Sequence, residues 1–296
     1  KPEHLADLNR KILIICILAL CAMFLVIVVN SYYNNRHFEM ISYDVSHQSK
    51  GKEIKVVFIT DLHSNSYGGN NQKLLDAIRA QEPDLILIGG DMFVKDPEPD
   101  MTVALSFVEQ LVQFAPVYYA NGNHEKKVMD YWEESKDAFE TYKSQLEKFG
   151  VTYLVNDSSV ITYKGRNIEI VGLDLELRDY RKIWHRTELT VEELEEKVPK
   201  RKASTDYRIL LAHNPKYFDL YAKLDVDLVL SGHVHGGIMI LPVLGGVIAP
   251  DYRIFPKYDY GTFESERTKM ILSKGLGVHS IRLRVFNKPE LTVFKI

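Results

Sequence analysis

Eighteen consecutive apolar positions, Ile12 to Val29, form the longest hydrophobic pattern in the chain. As a helix they would be about 27 Å long, close to the roughly 30 Å hydrocarbon core of a bilayer. The run has no polar face of the kind a soluble helix presents. Arg10 and Lys11 precede it, and Tyr32 and Tyr33 follow at positions suited to the interface. It is long for the apolar part of a cleaved signal peptide, and no small-x-small site follows. The pattern therefore predicts a transmembrane signal anchor within residues 1–36. Lys1, Arg10 and Lys11 lie before the span, and Arg36 alone follows closely after it. The positive-inside rule then predicts a single-pass protein of the cell membrane with residues 37–296 on the extracytoplasmic side.

Beyond residue 37 the periodicity alternates between that of strands and that of helices. Strands are predicted over Ile54–Thr60, Asp84–Ile88 and Pro116–Tyr119. Helices are predicted over Asn71–Gln81, Met101–Phe114 and Met129–Phe149. Strands then dominate, at Val160–Tyr163, Ile168–Val171, Ile209–Ala212 and Leu228–Leu230. The tail Lys269–Ile296 alternates like a set of paired strands. No internal repeat or low-complexity linker divides residues 37–296, so they form one β-rich α/β domain. Glu176–Lys202 is dense in charge and holds Thr190-Val191-Glu192-Glu193, a capping box that opens a short helix. It has the character of a solvated surface insertion, with a lid or membrane-facing flap as the functional alternative.

Composition narrows the class. The chain is 46% hydrophobic and 26% charged, which excludes disorder over most of its length. A net charge of −3 gives no general attraction to nucleic acid. Both cysteines, Cys16 and Cys21, fall in the apolar run, so no disulfide or thiolate metal site is expected after it.

Five short segments carry metal-ligand residue types, and each follows an apolar strand: Asp61-Leu62-His63, Gly89-Gly90-Asp91, Asn121-Gly122-Asn123-His124-Glu125, His213-Asn214-Pro215, and Gly232-His233-Val234-His235-Gly236-Gly237. In extended backbone, residues i and i+2 share a face, so Asp61 with His63, and His233 with His235, are expected to point the same way. Five of the ten histidines lie in these segments. Carboxyl ends of strands are where open α/β sheets place ligand sites. Taken singly the motifs are weak; their joint occurrence at strand ends is not.

In that order the segments resemble the motifs of the calcineurin-like metallophosphoesterase family. The resemblance continues through Phe255-Pro256-Lys257-Tyr258-Asp259 to Leu276-Gly277. The tail and the amino-terminal anchor are similar to the membrane-associated YkuE-like and YaeI-like subgroup. The resemblance implies a four-layer αββα sandwich of two mixed β-sheets flanked by helices, preceded here by one transmembrane helix. It implies two divalent metal ions, one held by Asp61, His63 and His235, the other by Asn123, His213 and His233, with Asp91 bridging. Carboxylate, imidazole and amide oxygen suit Mn, Fe, Zn, Co or Ni without choosing among them.

The implied reaction is hydrolysis of a phosphate mono- or diester, or of a lipid-linked pyrophosphate, by a metal-bridging hydroxide. His124, not assigned to metal and read as pointing away from Asn123 in an extended segment, is the catalytic candidate. The tyrosine that purple acid phosphatases carry three positions after the bridging aspartate is absent, since Met92, Phe93 and Val94 follow Asp91. Glu125 is expected to orient groups behind the ligands. Asp174, Arg253 and Lys257 are weaker candidates for the site or for phosphate contacts, against a default of ordinary surface charge. The anchor points to a lipid or envelope-linked substrate. No nucleic acid or protein partner is implied. The alternative is a non-catalytic metal-dependent binding module on the same fold.

Overall fold

The computed structural model describes residues 2–45, 52–181, 188–249, 252–278 and 283–296. Helix α1 spans Pro2–Asn34. An 18-residue window within Asp7–Asn34 has a mean hydropathy of 3.5, and the helix is long and apolar enough to cross a membrane. The apolar side chains of the span are exposed, whereas Ser31 and Asn34 at its end are buried against the rest of the chain.

Two six-stranded sheets follow. The first has the order β1 (Glu39–Asp44), β14 (Glu290–Lys295), β2 (Lys55–Ile59), β3 (Leu85–Ile88), β4 (Val117–Ala120), β5 (Thr152–Leu154). All neighbours are parallel except β14 with β2. The second has the order β12 (Gly261–Ser265), β13 (Thr268–Leu272), β9 (Leu228–Ser231), β8 (Tyr207–Ala212), β7 (Arg166–Leu173), β6 (Asp157–Tyr163). Its centre is parallel, and its edge pairs, β12 with β13 and β6 with β7, are antiparallel. A two-stranded ribbon, β10 (Ile240–Leu241) with β11 (Gly245–Gly246), stands apart.

Strand alternation produces the layering. On β2 and β3, Val56, Phe58, Leu85 and Leu87 face the second sheet and meet Ile168, Ile170, Ile209, Leu211, Leu228 and Leu230 in one core. Val57, Ile59, Ile86 and Ile88 face the other way, onto α2 (Gln72–Arg79), α3 (Thr102–Leu111) and α5 (Glu133–Lys148). On the far side of the second sheet, Val171, Leu210, Ala212 and Val229 pack under α6 (Val191–Lys197) and α7 (Phe218–Tyr221). The result is the expected αββα sandwich.

Several elements differ from the sequence reading. The single helix expected over Met129–Phe149 is two, α4 (Asn123–Tyr131) and α5, separated by extended Trp132. Glu133 and Glu134 open α5, where the exposed N–H groups of a helix start favour negative charge. In the tail, β13 and β14 do not pair with each other but enter opposite sheets. Strand β1 escaped the reading: it is a short edge strand with only half-buried alternation. The expected Thr190 capping box is present, with Glu193 N–H donating to Thr190 Oγ1 at 3.2 Å. Its segment is not merely solvated, because Leu189, Leu194 and Val198 are buried in the outer core; residues 182–187 of that stretch lie outside the described ones.

Candidate metal centre

Loops from the carboxyl ends of five parallel strands meet at one end of the sandwich: those after β2, β3 and β4 from the first sheet, and after β8 and β9 from the second. They approach very closely. A Cβ on Gly90 would stand 1.9 Å from Gly122 N, and one on Gly232 would stand 2.1 Å from Asp61 Oδ2, so only glycine fits at either position. Asp61, His63, Asp91, His233 and His235 all adopt positive φ, between 47° and 69°. The extended-strand argument for Asp61 with His63, and for His233 with His235, is therefore replaced by left-handed turns. These turns send His235 to one group of ligands and His233 to another.

Asp61, His63 and His235 form the first group. His63 Nε2 and His235 Nε2 are 3.3 Å apart, and both face Asp61 Oδ1, at 3.6 and 3.5 Å. Atoms about 2.1 Å from one tetrahedral ion are separated by about 3.4 Å, so this spacing fits a shared cation. Asp91, His213 and His233 form a second group, and His63, Asp91 and His124 a third. Asp91 Oδ2 is 3.1 Å from His213 Nε2 and 3.8 Å from His63 Nε2, so one carboxylate oxygen faces both sides. Asn123 is buried at the first turn of α4, between Gly122 and His124, both of which abut Asp91.

Asp91 Oδ2, Asn123 Oδ1 and His213 Nε2 are buried without a hydrogen-bond partner of acceptable geometry among the described residues. Such atoms are costly to bury. A divalent cation would satisfy carboxylate, amide oxygen and imidazole together, and the donor set fits one. The electrostatics agree. Burial alone would raise Asp61 and Asp91, but the surrounding imidazoles outweigh it and hold both carboxyls below the usual range. Burial alone would lower His213, but the Asp91 and Asp61 carboxylates outweigh that and push it up to about 10. The pocket is built to hold positive charge.

Backbone contacts set the imidazole tautomers. His213 Nδ1 lies 2.7 Å from the Gly89 carbonyl, an acceptor, so Nδ1 carries a proton and Nε2 is the nitrogen that would give its lone pair to a cation in place of a proton. His124 is the reverse. Lys95 N–H donates to its Nδ1 at 2.8 Å, which leaves the proton on Nε2. That Nε2 lies 3.9 Å from Asp91 Oδ2. His124 sits in the first turn of α4 rather than in an extended segment, and its own N–H holds Asp91 Oδ1 at 2.7 Å.

Glu125 orients the loops, as expected. It accepts from the backbone N–H groups of Asp91, Met92 and Gly122 at 2.8, 2.9 and 3.0 Å, and from Tyr119 Oη at 2.7 Å. Asp174 stands one layer back, paired with Lys126 at 3.0 Å and accepting from Asn121 at 3.1 Å. Lys257 is exposed and paired with Asp219 at 2.6 Å. Sequence reasoning missed Tyr180, whose ring stands edge-on to His233 at 5.2 Å. It also missed fully buried Arg284, whose Nη2 lies 3.5 Å from His235 Nδ1, and Asn287, which donates to the His235 carbonyl at 2.7 Å. No local motif marks these three, because they reach the site through the fold.

Residues 54–237 match the family described as calcineurin-like phosphoesterase. The chain belongs to that family. Its class of chemistry is therefore metal-dependent hydrolysis of phosphate esters. The Escherichia coli protein named phosphodiesterase YaeI is 28% identical over 266 residues, covering 88% of each chain. The Campylobacter jejuni protein named uncharacterized metallophosphoesterase Cj0846 is 30% identical over 260 residues. That match covers 87% of this chain, which spans only 63% of the Campylobacter protein's length. The solved phosphopantetheinyl hydrolase PptH of Mycobacterium tuberculosis aligns over 75% of this chain and 89% of its own, at 14% identity and a TM-score of 0.44.

Proposed function

We propose that this protein is a membrane-anchored, dimetal phosphoesterase with residues 1–36 as the anchor and 37–296 as the hydrolytic domain. Its substrates are phosphate mono- or diesters or a lipid-linked pyrophosphate at the cell envelope, with the domain on the extracytoplasmic side. The observation that carries the reading is the position of Asp91 Oδ2, 3.8 Å from His63 Nε2 and 3.1 Å from His213 Nε2. One oxygen placed between two imidazole groups is what a bridging ligand requires.

Asp61, His63 and His235 would hold one ion, and Asn123, His213 and His233 the other, with Asp91 shared. When bound, such a pair acidifies water and offsets charge on a phosphoryl group. The chain's own residues do the rest. The Gly89 carbonyl keeps the His213 lone pair directed inward. Glu125 fixes the Asp91 loop against the Gly122 turn. His124 has its proton on Nε2, facing the Asp91 side of the pocket, and donates it to a phosphoryl oxygen or the departing oxygen.

The test is a metal-by-substrate screen of the detergent-solubilised chain on aryl phosphates, cyclic nucleotides and lipid pyrophosphates. Asp91→Asn should abolish activity and lower bound metal. His124→Ala should lower kcat about 10²–10³-fold while elemental analysis finds metal content near wild type. Equal activity in Asp91→Asn would trace the hydrolysis to a contaminant. Stoichiometric metal without turnover on any substrate would favour the non-catalytic binding module.

A further inference from the structure

The end of α1 is bonded to the domain rather than tethered to it. Asn30 Oδ1 accepts from Phe286 N–H at 2.7 Å, Ser31 Oγ accepts from Arg284 N–H at 3.1 Å, and Asn34 Nδ2 donates to the Arg284 carbonyl at 3.1 Å. Asn30 directly follows the apolar run, so these bonds set Phe286 at the depth where the span ends. From there a hydrogen-bonded apron extends outward. Val285 N–H donates to the Ile238 carbonyl and Ile240 N–H to the Val285 carbonyl; Val247 pairs with Met239, and Phe255 with Val247.

The apron carries large apolar side chains in the open. Phe286, Leu244, Ile254 and Phe255 are each more than half exposed, and Val243 is wholly exposed. Val243 and Leu244 occupy the turn between β10 and β11, where a turn facing water ordinarily carries Gly, Asn or Asp. Val243 also takes φ 71°, which is strained for a β-branched residue. Exposed Arg36 and Lys288 stand beside the interfacial Tyr32 and Tyr33 rings, at 3.7 and 5.9 Å. The strand that leads into this apron starts a few residues after His235 of the metal centre.

We propose that the partner of this apron is the interfacial layer of the bilayer that holds α1. Val243, Leu244, Ile254, Phe255 and Phe286 insert among the upper acyl chains. The metal centre is thereby set against the leaflet, to act on a phosphoester whose hydrocarbon stays in the membrane. The proposal rests on the reading of α1 as an anchor. The occupant follows from continuity with the end of the span, since exposed apolar residues on backbone hydrogen-bonded to the end of an anchor helix lie beside lipid.

The test uses the full chain with Cys16→Ala and Cys21→Ala, reconstituted in phosphatidylcholine vesicles with and without lipid brominated at the upper acyl carbons. A bimane label at Val243→Cys or Phe255→Cys should lose at least twofold in fluorescence with brominated lipid. The same label at Lys52→Cys, near the amino end of β2 and so at the opposite pole of the sheets, should be unaffected. The double substitution Val243→Asp/Phe255→Asp should abolish quenching of a label at Ile254→Cys and leave the rate on soluble bis-p-nitrophenyl phosphate unchanged. Unquenched labels would overturn the proposal, as would labels quenched only through self-association of the chain. Quenching without hydrolysis of any ester would leave the membrane surface standing and sink the hydrolase reading, so the two failures are distinguishable.

Discussion

His213 and His124 meet opposite backbone groups at Nδ1, and under the proposed function that contact would separate a ligand from a proton donor. A carbonyl at Nδ1 turns the lone pair of His213 inward; an N–H at Nδ1 turns the proton of His124 inward. Both residues were singled out in the sequence from their positions after apolar strands, and the structure brings both against Asp91. Their tautomers were not, because Gly89 and Lys95 are distant in sequence from the rings they touch. Glu125 makes a testable case at this scale. Its carboxylate satisfies three buried N–H groups and the Tyr119 hydroxyl. Glu125→Ala would leave these donors unpaired, at roughly 1–3 kcal/mol for each buried group. We expect it to lower the unfolding free energy by at least about 4 kcal/mol, read from chemical denaturation, and to lower metal affinity by displacing Asp91. Glu125→Gln, which keeps an acceptor oxygen, should cost less than half as much.

Among elements, β2, β3, β8 and β9 were legible as apolar strands, but their layering was not, because strands buried on both faces read as unbroken apolar runs and the αββα order followed only from the family resemblance. The α4–α5 break was not legible either, since Met129–Phe149 keeps helical periodicity across extended Trp132. The two sheets are also joined away from the metal centre. Asp84, at the start of β3, accepts from Lys55 N–H, from Tyr163 Oη and from Lys164 Nζ in the β6–β7 hairpin. Burial, the largest single influence, raises its carboxyl, but the bonds from Lys164, Lys55 and Tyr163 together with the Lys164 charge outweigh it and hold it below its ordinary value. A depressed carboxyl stabilises the fold above its unfolded value of about 4, and that stabilisation is lost as pH falls through the folded value. Asp84→Asn should therefore reduce stability at pH 7 by about 1–2 kcal/mol. The gap from wild type should close below about pH 4, measured by urea unfolding at stepped pH.

Across the whole molecule, the metal centre joins the sheets, with Asp61, His63, Asp91 and His124 from one and His213, His233 and His235 from the other. Bound metal should therefore act as a cross-link in the folded state. Chelation should lower Tm. At metal concentrations about 100 times Kd, binding contributes about 2.7 kcal/mol, which re-addition of Mn or Zn should restore. Hydrogen exchange should speed up in the loops of both sheets together when metal is removed. Loss of protection on one side only would mean that the ligands do not span the two sheets.

The chain's own order of residues determined the apolar span, the apolar strands and amphipathic helices, and the types of ligand at strand ends. These depend on spacings of two to four residues, which local backbone geometry reads directly. Tertiary structure alone decided the rest. It placed His63 against His235, 172 positions away, separated His233 from His235, and sent β13 and β14 to opposite sheets. It also brought Arg284 and Asn287 behind the centre and bonded the end of α1 to their loop. Those contacts join residues far apart in sequence, and only chain topology brings them within hydrogen-bonding distance.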